Sequence, residues 1–599
     1  MMFPIAAADL ARIAAPPPCE NSPQRETDMY IEKVPNRNSR PAILLREGKR
    51  EGKRVVKKTL LNLTDWPTNV VEGLRRLLAG ETLVSVDDVF SVVASRPHGH
   101  IEAALGTIRR LGLERLIASE RSRERDLVVA MIAARLIDPC SKLATTRQWR
   151  STTLAEEMGL EDADEDELYD ALDWLLARQK RIEAKLARRH LGEGSMVMYD
   201  VTSSYYEGHT CPLAVHGHDR DGKRGLAIIV YGVMTDVEGR PIAADVYPGN
   251  TGDPTTVADQ VEKLRGDFGL ERVVMVGDRG MLTETQIGNL KKRPALGWIS
   301  ALRAPAVRQL VEAGDLQLSL FDEQNLAEIS SPDYPGERLV VCFNPLLADE
   351  RRRKRQELLA ATEKSLERIA AEVARRTKTP LLRHEIALKA GKAIGRYKMA
   401  KHCKLIIEDG RFEWSRNEES IEREAALDGV YVIRTSEPET RLSAPDTVRH
   451  YKNLSRVERA FRTLKGIELR VRPIHHRTED RVRAHIFLCL LAYYVEWHMR
   501  RALAPLLFDD EELDANRWTR DPVEPAEPSP SAKRKKTQRK TPDGLAVHSF
   551  KTLLEALGAR CRNRCRTRTE RTQYHFHRHT ELTPLQARAF ELLELFPVR

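Results

Sequence analysis

From residue 99 to residue 190, apolar side chains recur every three or four positions. Leu105, Ile108, Leu111 and Leu113 make one such set, and Leu127, Val128, Ile132 and Leu136 another. That period puts each set on one helical face and predicts a helical region over 96–190. The acidic run Glu161 to Glu167 fits a turn or a helix start. The pattern changes at Met196. Met196-Val197-Met198-Tyr199-Asp200-Val201 is a compact apolar run interrupted by one carboxylate, and it predicts a strand. Leu226 to Met234, Ile242 to Tyr247 and Val273 to Val276 predict three more, the last ending at Gly277-Asp278. Thr283 before Glu284 then marks the start of a polar-capped helix reaching Leu290. Three strands in succession, then a strand followed by a helix, predict a mixed sheet. A core over 191–290 and 425–505 is therefore expected. A long interval separates Asp278 from the next such run, Val430 to Ile433. It contains strand candidates at Leu339 to Phe343 and Lys404 to Ile407, and a charged helix from Asp349 to about Arg376. We read 291–424 as an inserted subdomain.

Two helices are expected after Val430, around Tyr451 to Lys465 and around Asp480 to Met499. Steps of three and four residues put Tyr451, Leu454, Glu458, Phe461 and Lys465 on one stripe. Among those neighbours Glu458 is expected to face the core, with Arg456, Arg459 and Arg462 off the stripe. The Pro-, Lys- and Arg-rich stretch 520–541 reads as a flexible linker, and 542–599 as a small, basic, helical tail. At the other end, residues 1–28 carry a Pro-Pro-Pro run and little periodicity. They are expected to be disordered, or an extension upstream of a start at Met29. Residues 29–95 mix strand-like runs with Lys49, Arg50, Arg54, Lys57, Lys58 and other cations. Two readings are open there: a solvated charged face, or a small basic domain that contacts a polyanion. The same choice applies to Arg351-Arg352-Arg353-Lys354-Arg355.

Composition narrows the class. With 599 residues and 41% hydrophobic content, the chain suits about three or four folding units. Lys and Arg number 98 against 88 Asp and Glu, giving a net charge of +10, which favours a polyanionic partner. Eight scattered cysteines fit a reducing compartment, not a disulfide scaffold. Cys561, Cys565, His575, His577 and His579 lack regular zinc-ligand spacing. The longest apolar run, Ile486 to Val495, is too short to cross a bilayer and predicts a buried helix. A cytoplasmic protein with no membrane role is expected.

The chemistry rests on three acidic residues in three settings. Asp200 sits in an apolar strand, Asp278 directly follows another, and Glu458 lies on a helix. Carboxylates in such surroundings are costly unless paired or bound to a cation. Each also has a plainer reading: Asp278 as a cap for the turn or helix that follows, Glu458 as an ion-pair partner of Lys465 or a nearby arginine. Asp245 and Asp253 are further candidates, although Asp253 lies in the turn-like Gly249-Asn250-Thr251-Gly252-Asp253-Pro254.

Tyr451, Glu458 and Lys465 match the Y-x2-R-x3-E-x6-K signature, and on these residues the chain resembles the insertion-sequence DDE transposases. Leu454 stands where that signature has Arg, which removes one phosphate contact; Arg456 is the available substitute. Val276-Gly277-Asp278-Arg279-Gly280 resembles the family's second-Asp motif, and Tyr199-Asp200-Val201-Thr202 its first. Arg472-Pro473-Ile474-His475-His476, followed by Arg481, Val482 and His485, is also similar to this group. The resemblance covers roughly 190–500. It implies an α/β, RNase H-like mixed sheet interrupted by an insertion before the Glu, preceded by a mixed and helical N-terminal region and followed by a helical tail.

The resemblance implies a catalytic set of Asp200, Asp278 and Glu458 holding two divalent cations, Mg²⁺ or Mn²⁺. Asp200 would bridge them, while Asp278 and Glu458 would each complete one site. Hard cations of this kind take carboxylate, water and phosphate oxygens, and a pair can clamp both oxygens of an in-line displacement. Water would first free a 3′ hydroxyl at an element end, and that hydroxyl would then attack target DNA. Tyr451, Lys465, Arg456, Arg459, Arg462 and Arg279 are the expected DNA contacts, and 96–190 a DNA-binding region. Double-stranded DNA, as element ends and target, is the implied partner, with a homodimer forming on it. A nuclease that cuts without joining and a non-catalytic DNA-binding derivative are the alternatives.

Overall fold

The computed structural model describes residues 27–37, 40–52, 54–81, 90–293, 295–321, 324–524, 526–567 and 574–595. The expectation for residues 1–26 therefore lies outside the described residues, whereas Thr27 and Asp28 already belong to a strand. Two units divide the chain: Met1–Ala94 with Arg564–Arg578, and Ser95–Asn563 with His579–Arg599.

In the first unit, β1 (Thr27–Val34), β2 (Ala42–Glu51) and β3 (Arg54–Asn62) form an antiparallel sheet in that order, followed by α1 (Thr68–Leu78). Every residue of β3 with a described side chain is exposed, so its basic residues stand in solvent. Glu32 takes up two of the sheet's cations, Arg46 at 2.7 Å and Lys57 at 3.1 Å.

The second unit begins at the end of β4 (Phe90–Pro97) and runs through a bundle: α2 (Gly99–Arg110), α3 (Arg123–Ile137), α4 (Glu165–Leu176) and α5 (Gln179–His190). Ser122 and Asp164 cap α3 and α4 by accepting the N–H of Arg125 and Glu167. The acidic run at 161–167 is thus a helix start, as its composition suggested. All of α3 from Arg125 to Leu136 is buried. One continuous apolar core joins these helices to the central sheet.

That sheet has eight strands in the order β10-β11-β14-β9-β8-β5-β6-β7. β5 (Ser195–Tyr205), β6 (Ile228–Thr235) and β7 (Pro241–Pro248) are an antiparallel meander. β8 (Val273–Val276) and β9 (Leu296–Ala301) run parallel to β5. β10 (Leu326–Ile329), β11 (Arg338–Phe343) and β14 (Val430–Thr435) complete it with antiparallel pairings. β6 and β8 are buried throughout, which accounts for their near-continuous apolar sequence. α6 (Glu284–Lys291) follows Thr283 as expected, although the threonine side chain makes no cap hydrogen bond.

The interval 291–424 is not one separate piece, because β9, β10 and β11 all belong to the main sheet. What stands outside the sheet runs from residue 345 to residue 425. It contains α7 (Pro345–Arg375), α8 (Arg383–Arg396), the hairpin of β12 (Cys403–Glu408) and β13 (Arg411–Arg416), and a short helix Glu418–Ala425. Leu366, Val373, Ile386, Ala390 and Phe412 give it a small core of its own. A buried ion pair ties it to the sheet: Arg355 on α7 meets Asp428, two residues before β14, with both side chains 7% exposed.

Beyond β14 come α9 (Ala444–Lys452), α10 (Leu454–Lys465) and α11 (Glu479–Leu503). The apolar run Ile486 to Val495 lies inside α11 and is buried throughout. No helix among the described residues is long and apolar enough to cross a membrane. The expected linker at 520–541 is instead partly structured. It contains α12 (Pro530–Gln538), whose Lys535 is 1% exposed, donates to the Ala504 carbonyl at 2.9 Å and pairs with Glu511. Its charge-rich sequence hid a lysine with buried partners. α13 (Phe550–Gly558) packs on α2, where the approach is close enough that a Cβ on Gly99 would meet the Leu557 carbonyl oxygen at 2.3 Å.

Removing one member of a buried ion pair strands the other charge, at a cost of about 3–5 kcal/mol. Asp428→Ala is expected to destabilise the second unit by about that much in chemical denaturation. A loss below about 1 kcal/mol, the range of exposed pairs, would show that the Arg355 contact holds nothing.

Candidate active site

β5 and β8 are parallel neighbours whose last paired residues are Met198 and Val276. Two residues further along each chain lie Asp200 and Asp278. Asp200 is still on β5, whereas Asp278 lies just past the end of β8, close enough that its charge is felt at Asp200. β8 stops where Asp278 begins a turn, because its Oδ1 accepts the N–H groups of Gly280 at 2.9 Å and Met281 at 2.7 Å. The capping reading of Asp278 therefore holds for that turn, and Asp278 remains exposed. Asp200 is half-buried, and its Oδ1 accepts the N–H of Val201 at 2.8 Å. Burial, and then the neighbouring Asp278 charge, push the Asp200 carboxyl up to about 7, against the opposing pull of the Val201 N–H and, more weakly, of Arg220.

Glu458 does not face the core. It is exposed on α10, whose buried side is Val457, Ala460, Phe461 and Leu464. The stripe drawn from Tyr451 fails because Tyr451 sits on α9, and the chain breaks at Asn453 before α10 starts its own phase. Tyr451 nevertheless links the acidic groups. Its hydroxyl is pushed up to about 12, first by burial and then by the Asp278 charge, with Glu458 adding to it and Arg279 opposing.

Lys465, at the end of α10, is turned inward. Its Nζ pairs with Asp221 at 2.9 Å and donates to the Ser203 carbonyl on β5. Arg472 also pairs with Asp221, whose side chain is only 1% exposed and accepts the Tyr205 N–H at 3.2 Å. Asp221 thus gathers two cations and a strand amide into one tie. Sequence reading missed it, because Asp219-Arg220-Asp221 sits in a polar loop without periodicity. Arg456 is likewise engaged, with the Val237 carbonyl at 2.9 Å and with Asp514. Arg459, Arg462 and Arg279 are exposed, and their side chains make no hydrogen bond or ion pair with another described residue.

The competing carboxylates are occupied. Asp253 pairs with Arg220, and Asp245 with Lys263 at 2.8 Å. Among the described residues, no three His, Cys, Asp or Glu side chains are close enough together to hold a metal ion, the C-terminal Cys and His residues included. Asp200 and Asp278 suit a hard divalent cation: both are oxygen donors, and their mutual repulsion is what such a cation would relieve. Glu458 stands apart from them.

The raised pKa carries a sign. A carboxyl whose folded pKa lies above its unfolded value favours folding most at low pH, and that contribution is lost as pH rises through about 7. In chelator-treated buffer at pH 8, Asp200→Asn is expected to melt above the wild type. The gap should close below about pH 4, near the unfolded carboxylate value. A variant that melts below the wild type at pH 8 would contradict this assignment of the Asp200 environment.

Residues 195–495, just over half of the 599-residue chain, match the family model described as the transposase DDE domain. No curated protein matches the chain. Among solved structures, it is similar to the piggyBac transposase synaptic complex with hairpin DNA, at 10% identity, over 77% of this chain and 76% of that chain. The TM-score is 0.33. The family match spans β5 with Asp200, β8 with Asp278, and Glu458 through most of α11, and on that match the chain belongs to the transposase DDE domain family.

Proposed function

We propose that the chain is a DNA transposase that cuts element ends and joins them to target DNA, with Asp200, Asp278 and Glu458 as its catalytic carboxylates. The observation that carries the reading is that Asp278 lies just past the end of β8, the parallel neighbour of the strand holding Asp200, and that its charge helps to disfavour that of Asp200. Perturbed acids of this kind mark functional sites. The strand order β7-β6-β5-β8-β9, antiparallel then parallel, supports an RNase H-like core.

Asp200 and Asp278 would hold two divalent cations, Mg²⁺ or Mn²⁺, with Glu458 as the third ligand. When bound, these ions neutralise phosphate oxygens and favour ionisation of the attacking hydroxyl. Glu458 would have to approach the aspartates when DNA is engaged, and Tyr451, which feels the charge of both Asp278 and Glu458, would orient a phosphate. Arg459, Arg462 and Arg279, exposed and unpaired among the described residues, supply the DNA contacts on this face. Lys465 acts by position: its ion pair with Asp221 holds α10 on β5. The basic first unit and the helical region add contacts along double-stranded DNA, and two copies assemble on it.

Alanine at Asp200, Asp278 or Glu458 is expected to lower cleavage of element-end DNA in Mg²⁺ by at least about a thousandfold, equivalent to about 4 kcal/mol of barrier. End binding should survive. A denaturing gel reads cleavage and a mobility shift reads binding. Full-rate cutting by Asp278→Ala would remove that residue from the site. Precut ends test joining, and products that are cut but never joined would favour a nuclease.

A further inference from the structure

Of the motif Arg472 to His476, with Arg481 and His485, only Arg472 touches the tie beside the acidic site, yet all but Ile474 line a cavity of about 540 Å³ in the second unit. The opposite wall comes from the end of α3 and the turn after it, with Arg135, Cys140 and Lys142. Lys142 is 5% exposed and Arg135 8%. Lys142 makes no hydrogen bond or ion pair with another described residue. Among the described residues Arg135 has only the Leu469 carbonyl, at a long 3.5 Å.

The other groups facing the cavity do not compensate. His476 and His485 lie with ring centroids 4.8 Å apart and planes tilted by 45°, and Arg481 lies over the Tyr169 ring at 4.7 Å. Arg472 is committed to Asp221. Asp166, the carboxylate in the lining, is exposed at the rim. Burial and then Arg135 hold the Lys142 ammonium down to about 7, and burial, then Lys142 and Arg135, hold His476 down to about 3. Two buried cations without a counter-charge are expensive to keep in a fold. Lys142 also opens the ten-residue helix Lys142–Ser151, whose N-terminal end adds positive potential.

We infer that this cavity is an anion site that takes a phosphate group, with Lys142 and Arg135 as its ligands. Its volume exceeds one phosphate and falls in the range of small-ligand pockets, about 300–1,000 Å³. A nucleotide unit of a strand fits it, with Arg470 and Arg477 at the lining to meet the adjoining phosphates. Free phosphate shares the same chemistry. The inference stands apart from the catalytic reading, since none of its ligands is an acidic-site residue.

The test uses the full chain, melted in phosphate-free buffer at fixed ionic strength. Inorganic phosphate should raise the wild-type melting temperature. Lys142→Met should need at least about ten times more phosphate for the same rise, as expected for losing a charged hydrogen bond. Lys142→Arg should keep the response. Without phosphate, Lys142→Met should be at least as stable as the wild type, because an uncompensated buried charge has been removed. An equal response in wild type and Lys142→Met, no response in the wild type, or a large drop in stability of Lys142→Met without phosphate would overturn the inference. Short oligonucleotides with and without a 5′ phosphate then separate the sources. Lys142-dependent binding of oligonucleotide below the phosphate concentration range supports a strand phosphate. Lys142-dependent binding of inorganic phosphate alone supports a small-anion site.

Discussion

The fold around the acidic site depends on Asp221. It is buried, and it binds Lys465 from α10, Arg472 from the following loop and the Tyr205 amide of β5. Glu458 lies on the helix that Lys465 ends, and Asp200 on the strand whose Ser203 carbonyl Lys465 also reaches. Two acidic residues more than 250 positions apart are thereby carried on elements fixed to one another. A buried carboxylate with two cationic partners tolerates little drift, since losing either one leaves a charge desolvated.

Charge is handled differently elsewhere in the second unit. Arg434 meets Glu337 with two bonds at 2.6 and 2.7 Å, with Glu284 and Lys291 joining them, and Arg355 meets Asp428; in both places opposite charges offset one another. Asp200 and Asp278 instead repel each other, and Lys142 and Arg135 do the same in the basic cavity. One place accumulates negative charge and the other positive charge, and the fold bears the cost of both. Such uncompensated sites are where ligands of opposite charge bind with most gain.

Much of the sheet was legible in the sequence because β5, β6, β8 and β14 are buried apolar runs, and burial on both faces leaves that signature. The register placing Asp200 beside Asp278 was not legible, since pairing is a tertiary fact. The orientation of Glu458 was misread for a local reason. Asn453 separates α9 from α10 without a Gly or Pro to mark the break, so a continuous stripe from Tyr451 had the wrong phase. β9 and β10 escaped notice because they are short and lie in the interval read as an insertion. Lys535 and Lys465 show the same limit: a lysine in sequence looks solvent-facing until its buried acceptors are known.

If the proposed function holds, Asp200, Asp278 and Glu458 form one cation site at this sheet. The most direct measurement is a structure of the protein with Mn²⁺ and element-end DNA, using anomalous scattering to locate the ions. Manganese is expected between Asp200 and Asp278, with the Glu458 carboxylate brought into contact. Manganese bound elsewhere, or Glu458 still turned to solvent beside an engaged scissile phosphate, would contradict it.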